Sequence, residues 1–239
     1  MTKAEIQFVR SLADKRTRNE TGLFTAEGAK LVGEILASPL KVRKLYALDG
    51  VFDGRAERIA PHEMERISSL KTATDSLAVV EQPRYRTPDV APADRLTLAL
   101  DGVQNPGNMG TILRTADAFG LDGVILLGDC VDAFSPKVVR SAMGSLFGGK
   151  LYAMTAAGLR AQLDEKGLPL YAATLAPDSR PITQVSLKRG CVIVGNEAHG
   201  VSPATIACCH GSVIIPIQSA ESLNAGIAAG ILMWEMRSC

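Results

Sequence analysis

The stretch LDGVQNPGNMGTILRTADAFG, residues 100–120, reads as a strand, a turn containing Asn105-Pro106-Gly107-Asn108, and then a helix. Turn residues directly after an apolar strand expose backbone N–H groups and a helix N-terminus at the carboxyl edge of a sheet, where open α/β folds bind ligands. Within the helix, Ile112, Ala116 and Phe119 recur at i, i+4 and i+7, which leaves Arg114 off the core face. Asn108 either caps this helix or touches a ligand. Arg114 either pairs with Asp117 on the surface or holds its guanidinium fork over a phosphate.

Two later stretches repeat the arrangement. In VIVGNEAHGVSP (192–203) an apolar strand runs into Gly195, the polar pair Asn196-Glu197 follows, and Ser202-Pro203 reads as an N-cap with proline at the first helical position. Glu197 sits at the strand end, where a buried or half-buried carboxylate needs hydrogen-bond donors; a structural ion pair is the other reading. In IIPIQSAESLNAGIAAGILMWEM (214–236) a strand ends near Pro216 and a helix begins near Leu223. Leu223, Ile227, Ile231 and Trp234 make one apolar stripe, whereas Gly226, Ala229 and Gly230 make a very small face that admits a close neighbour, a helix or a second subunit. Ser222 and Asn224 flank the start of that helix, and capping accounts for either.

Further apolar strand candidates, LTLALD (96–101), GVILLG (123–128), LPLYAATL (168–175), CVIVG (191–195) and SVIIPI (212–217), are mostly separated by helical patterns. Uniformly apolar strands alternating with helices predict a mainly parallel sheet with helices on both faces. Successive parallel strands present their carboxyl ends on one side, so the three strand-to-loop edges converge on one composite pocket.

Residues 1–82 read as a separate, small α/β unit, with helices near 3–14, 26–37 and 61–70, a strand at 42–48 and an apolar run at 77–83. A proline-bearing linker with little periodicity covers 83–94, which places a domain boundary near residue 94 and a second domain at 95–239.

Lys plus Arg is 26 against 25 for Asp plus Glu, so overall charge gives no sign of a polyanion partner. The densest basic cluster, Lys15, Arg16 and Arg18, reads as a phosphate site or a solvated helix end. The five cysteines lack C-x-x-C spacing, and no metal is expected even at Cys208-Cys209-His210. Without a membrane-length apolar run or a secretory leader pattern, a cytoplasmic protein is expected.

NPGNMGTILRTADAFG, IVGNEAHGVS and IPIQSAESLNAGIAAG, in this order, resemble the three motifs of the SpoU/TrmH family of RNA ribose 2′-O-methyltransferases, and residues 7–32 resemble the family's amino-terminal substrate-binding domain. The resemblance implies S-adenosylmethionine as cofactor, with Asn108, Arg114, Glu197, Ser222 and Asn224 as catalytic-site residues. Backbone near Gly195, Ile215 and Leu223 would hold the cofactor. It further implies a carboxyl-terminal trefoil knot, a homodimer, and structured RNA as substrate, ribosomal favoured over transfer. Where the family continues Val-Ser after the third-motif asparagine, this chain has Ala225-Gly226. The alternatives are a non-catalytic RNA-binding or ribosome-assembly factor of the same fold, against which retention of these residues argues, and a nicotinamide dehydrogenase, against which the lack of G-x-G-x-x-G argues.

Overall fold

The computed structural model describes residues 1–83, 97–148, 150–219 and 222–237. In chain order the elements are α1 (Lys3–Ser11), α2 (Lys15–Thr21), β1 (Leu23–Glu27), α3 (Ala29–Leu36), β2 (Val42–Ala47), β3 (Glu57–Arg58), α4 (Pro61–Ile67) and β4 (Ser76–Glu81), followed by β5 (Thr97–Asp101), α5 (Pro106–Ala118), β6 (Gly123–Leu127) and α6 (Pro136–Ala142). The remainder comprises β7 (Leu151–Ala153), α7 (Ala156–Asp164), β8 (Leu170–Ala173), β9 (Arg180–Pro181), β10 (Cys191–Gly195), α8 (Pro203–Ile206), β11 (Gly211–Ile214) and α9 (Ala225–Arg237). Past Pro83 the expected linker, with its boundary near residue 94, lies outside the described residues.

The chain forms two compact units, Met1–Arg84 with Asp132–Gly149, and Tyr85–Val131 with Lys150–Cys239. In the first, a four-stranded sheet runs in the order β1-β4-β2-β3. Helix α1 is fixed at its start by a capping box between Thr2 and Glu5, an arrangement that satisfies two otherwise unpaired donors at once. Its apolar face, Ile6 and Val9, joins Tyr46, Met64, Ile67 and Leu77 in one core. Strand β1 was not anticipated; it pairs antiparallel with β4 along its whole length.

Residues 132–149, which the sequence assigns to the second domain, pack within the first unit. Helix α6 lies against β1, and the Phe24 ring has Phe134 at 5.1 Å and Phe147 at 6.5 Å between centroids. Arg18 anchors the segment. Only 2% exposed, it pairs with Asp132 through Nη2 at 2.6 Å and through Nε at 2.8 Å, while Nη1 donates to the Leu12 and Ala13 carbonyls at 2.9 and 2.7 Å. The expectation that Arg18 belongs to a solvated or phosphate-holding cluster is therefore corrected. Its donors are met by a carboxylate and by the open carbonyls past α1, the condition under which a guanidinium tolerates burial.

In the second unit, seven strands run in the order β7-β6-β5-β10-β8-β11-β9, every pairing parallel. β5 and β10 are buried at every position, as expected of central strands covered on both faces. Helix α9 begins at Ala225, two residues after Leu223. Its small face meets α5: a Cβ on Gly226 would lie 3.5 Å from Thr111 Cγ2 and one on Gly230 4.0 Å from Thr115 Cγ2. The close neighbour predicted for this face is thus a helix of the same chain. The opposite stripe remains open, with Ile227 56% and Trp234 60% exposed, and Phe119 of the α5 end lies tilted on Trp234 at 5.9 Å.

Candidate active site

β5 and β10 are hydrogen-bonded neighbours, yet from β5 the chain proceeds to β6 and β7 on one side, and β10 opens onto β8 and β11 on the other. Loops leaving the carboxyl ends of two such strands diverge, and the crevice between them is where parallel α/β sheets hold ligands. The first two motifs are these loops.

Gly102, at φ +67°, turns the chain after β5. Asn105 then caps α5, its Oδ1 accepting from the N–H groups of Gly107 at 2.8 Å and Asn108 at 3.3 Å, and Pro106 occupies the first helical position. The cap is therefore Asn105 rather than Asn108. With the backbone so fixed, Asn108, 9% exposed, directs its side chain across the crevice. Its Nδ2 donates to Glu197 Oε1 at 2.9 Å, and its Oδ1 accepts from Asn224 Nδ2 at 3.0 Å. Asn224 in turn caps α9, its Oδ1 accepting from the N–H groups of Gly226 and Ile227 at 2.9 and 3.3 Å. One hydrogen-bond chain thus joins the three motifs.

Glu197 also accepts from the backbone N–H groups of Gln104 at 3.1 Å and Asn105 at 3.0 Å. The residue is exposed rather than half-buried and forms no ion pair among the described residues, so the sequence expectation of burial is corrected. Partial desolvation pushes its carboxyl up, but the Asn108 amide and the backbone N–H groups of Gln104, Glu197 and Asn105 outweigh this and hold it below the usual carboxylate range. The carboxylate also faces the start of α5, where the helix dipole favours negative charge.

The frame is built by Asp101 and Gln104, which carry no sequence signal, by Asn196, and by Ser202, which caps α8 with Pro203 at the first helical position as expected. Asn196 Nδ2 donates to the Gly102 carbonyl at 2.7 Å, and its Oδ1 accepts from Ala198 and His199 N–H at 2.9 and 3.1 Å. Asp101, buried at the end of β5, accepts from Ser202 N–H at 2.8 Å, and the Ser202 hydroxyl caps α8. Gln104 reaches the Asp129 carbonyl. Proline at the first helical position was the signal that identifies Asn105 as the cap; nothing comparable marks Asp101 or Asn196.

Arg114 lies exposed on α5 and makes no hydrogen bond or ion pair among the described residues, so the surface pair with Asp117 does not form. Its guanidinium is available to a ligand. Ser222 is exposed and is not drawn into the Asn108–Glu197 network. Gly195 ends β10 and Ile215 follows β11, whose parallel course puts both at the carboxyl edge. No backbone hydrogen bond engages Ile215 or Leu223 among the described residues, leaving donors and acceptors there for a ligand. A Cβ on Gly195 would fall 2.1 Å from Gly200 C and Val201 N, so glycine is required there by the chain's own loop, whatever else the position holds.

His210 is occupied structurally: its Nδ1 accepts from Leu170 N–H at 2.9 Å and its Nε2 lies 2.9 Å from Asp164. Among the described residues no group of three or more His, Cys, Asp or Glu side chains is arranged to hold a metal, and no helix is long and apolar enough to cross a membrane.

Residues 95–234 match the model of the SpoU rRNA Methylase family, and residues 3–85 match that of the MRM3-like substrate binding domain. The chain is 32% identical to the 23S rRNA (guanosine(2553)-2′-O)-methyltransferase RlmP of Bacillus subtilis, over 95% of this chain and 94% of that one. Among solved structures it is similar to an AdoMet-bound rRNA methyltransferase from Sinorhizobium meliloti, with a TM-score of 0.89 and 30% identity, covering 99% of this chain and 95% of the other. The SpoU methyltransferase AviRb from Streptomyces viridochromogenes, in complex with AdoMet, aligns with a TM-score of 0.86 and 25% identity over 99% and 97% of the two chains.

Proposed function

The chain belongs to the SpoU rRNA Methylase family, and from that premise we propose that it transfers a methyl group from S-adenosylmethionine to a ribose 2′-hydroxyl of structured RNA, ribosomal rather than transfer. The observation that carries this reading is the Asn224–Asn108–Glu197 hydrogen-bond chain, which gathers all three motifs; Arg114, exposed on the same helix as Asn108, has no partner among the described residues. RlmP of Bacillus subtilis and the Sinorhizobium meliloti protein are themselves named as rRNA methyltransferases.

S-adenosylmethionine supplies an electrophilic methyl group when bound. The backbone near Gly195, Ile215 and Leu223 holds it, consistent with the unengaged backbone groups at Ile215 and Leu223. Arg114 binds the phosphate beside the target ribose and stabilises charge developing on the attacking oxygen. Arginine stays cationic far above neutral pH, so phosphate or water assists removal of the hydroxyl proton. Asn108, Glu197 and Asn224 position the loops that present the two substrates, and positioning supplies much of the acceleration in a transfer that demands in-line approach. Ser222, exposed two residues before the Asn224 cap, is assigned to the same site by its place in the third motif.

Three finer features belong to this reading. The chain works as a homodimer through α9, supported by the exposed Ile227 and Trp234, the latter lying against the half-buried Phe119. The carboxyl-terminal segment is knotted, supported by the strand order that sets β8 between β10 and β11. The enzyme acts in the cytoplasm, on RNA made there.

Calorimetric titration with S-adenosylmethionine, followed by mapping of 2′-O-methylation in RNA treated with the protein, tests the proposal. Cofactor binding with methylation at a discrete ribose is expected. A folded protein that binds RNA but no cofactor returns the alternative, a non-catalytic RNA-binding or ribosome-assembly factor.

A further inference from the structure

Asp101 ends β5 opposite Gly195, the last residue of β10, and the two are partners across the parallel ladder. From Gly195 the chain folds back on itself. Asn196 and Gly200 exchange both backbone hydrogen bonds at 2.9 Å, and the return passes so close that a Cβ on Gly195 would meet Gly200 and Val201. Val201 then enters the core, and the next residue, Ser202, donates its N–H to Asp101 Oδ2 at 2.8 Å.

The Asp101 side chain has no other hydrogen-bond partner among the described residues. The residue is only 8% exposed, and its Oδ1 faces Gly128, where a Cβ would come within 3.3 Å. Taking a carboxylate out of water for one backbone N–H costs stability, so the position calls for a reason beyond packing. Glu197 supplies one. It sits within the returning loop and accepts from the N–H groups of Gln104 and Asn105, on the turn that follows Asp101. Asn196 Nδ2 ties the near end of the loop to the Gly102 carbonyl, and Asp101 ties the far end. Between two fixed points the loop has little freedom to carry Glu197 away from the first-motif backbone.

We infer that Asp101 is a positioning residue for methyl transfer: by holding Ser202 it keeps the 196–202 loop, and with it Glu197, in register with the first motif. The effect on turnover rests on the methyltransferase reading, whereas the link from Asp101 to Glu197 belongs to the loop itself and is measurable without cofactor.

The test follows the Glu197 carboxyl by NMR through an acid titration of the full chain carrying isotope-labelled glutamate, with Glu197→Gln to assign the signal. Asp101→Ala removes both the tie and a negative charge, and the two losses act in opposite directions. Losing the charge alone relieves repulsion and lowers the Glu197 midpoint; losing the tie moves the N–H donors off the carboxylate and raises it toward the ordinary glutamate value. A rise is expected in Asp101→Ala, with kcat down about tenfold or more. Asp101→Asn keeps an acceptor for Ser202 N–H without the charge, so the midpoint should stay at or below that of wild type and most of the turnover should return. Should Asp101→Ala fail to fold, Ser202→Pro cuts the same bond from the other side. Ser202 already lies at φ −65°, which proline adopts, and Asp101 keeps its charge. A midpoint at or below the wild-type value in the variant that folds overturns the inference, as does Asp101→Asn impaired as deeply as Asp101→Ala. Calorimetry with S-adenosylmethionine in parallel separates the two claims. A raised midpoint in a protein whose wild type binds no cofactor upholds the loop link and removes the methyltransferase reading, whereas an unmoved midpoint with normal methyl transfer removes the role of Asp101 alone.

Discussion

Asn224 Nδ2 donates to Asn108 Oδ1 at 3.0 Å, across 116 residues of chain, and the same Asn108 donates onward to Glu197. Asn108 can serve both because an amide carries a donor and an acceptor on one rigid group. Asn108→Asp keeps the shape but replaces the donor with a second carboxylate oxygen against Glu197. Methyl transfer is expected to fall by about 100-fold, the scale of a small misplacement of reacting groups. Thermal stability should change little by comparison. Steady-state kinetics and a melting curve on one preparation check this, and unchanged kcat would show that the chain of amides is not needed.

Glu197 gives the site a definite pH response. Its carboxyl is held below the usual range, so the link it makes is fully present above the ordinary carboxylate value and is lost as pH falls through the lower folded value. Cofactor binding should therefore be flat from pH about 8 down to about 5 and fail only in more acid solution. In Glu197→Gln the amide nitrogen faces a backbone N–H that formerly donated, and binding should be weaker at every pH without that acid limb. A midpoint above the ordinary glutamate value in the wild type would contradict the assignment.

Gly195 and Gly200 separate two reasons for glycine. A side chain at Gly195 collides with the backbone of Gly200 and Val201, whereas Gly200, at φ +69°, has open space around its Cα. Gly200→Ala should cost only the about 1–2 kcal/mol of a left-handed alanine. Gly195→Ala should lower Tm markedly more, because backbone has to move. Loss of S-adenosylmethionine binding in Gly195→Ala then reports a displaced 196–201 loop as much as a blocked pocket. Equal melting temperatures for the two variants would refute the distinction.

The buried pair of Arg18 and Asp132 makes a prediction for the first unit. Arg18→Met leaves Asp132 without its guanidinium and should cost about 3–5 kcal/mol, the range for breaking a buried ion pair from one side. The double variant Arg18→Met, Asp132→Leu should recover part of that loss. Denaturant unfolding of both proteins decides it, and a single variant as stable as wild type would mean that the pair does not hold the 132–149 segment.

Much of the second unit was legible because its strands are uniformly apolar and end in Gly, Asn and Ser, a pattern that fixes both the parallel sheet and the edge that carries the site. The expected strand near 212–217 ended at Ile214, and β7 and β9, three and two residues long, left no periodic signal. β1 was hidden by its own brevity between Gly22 and Gly28, and its identity depends on pairing with β4, from Leu23↔Glu81 to Glu27↔Leu77, far along the chain. Burial of Arg18 and the membership of residues 132–149 in the first unit depend on the same kind of distant contact. In the site, Asn105 and Asn108 look alike to a propensity argument, and only the proline between them distinguishes cap from bridge. Exposure of Ile227 and Trp234 was likewise not readable from the stripe, because an apolar helix face is equally at home in a core or an interface.

The most direct test of the central claim is transfer of labelled methyl from S-adenosylmethionine to ribosomal RNA taken from a strain lacking the protein, with wild type and Arg114→Ala compared after calorimetry shows that both bind cofactor. The account predicts one alkali-resistant 2′-O-methylated ribose with wild type and none with Arg114→Ala. Near-normal transfer by Arg114→Ala, or label found on a base with wild type, would contradict it.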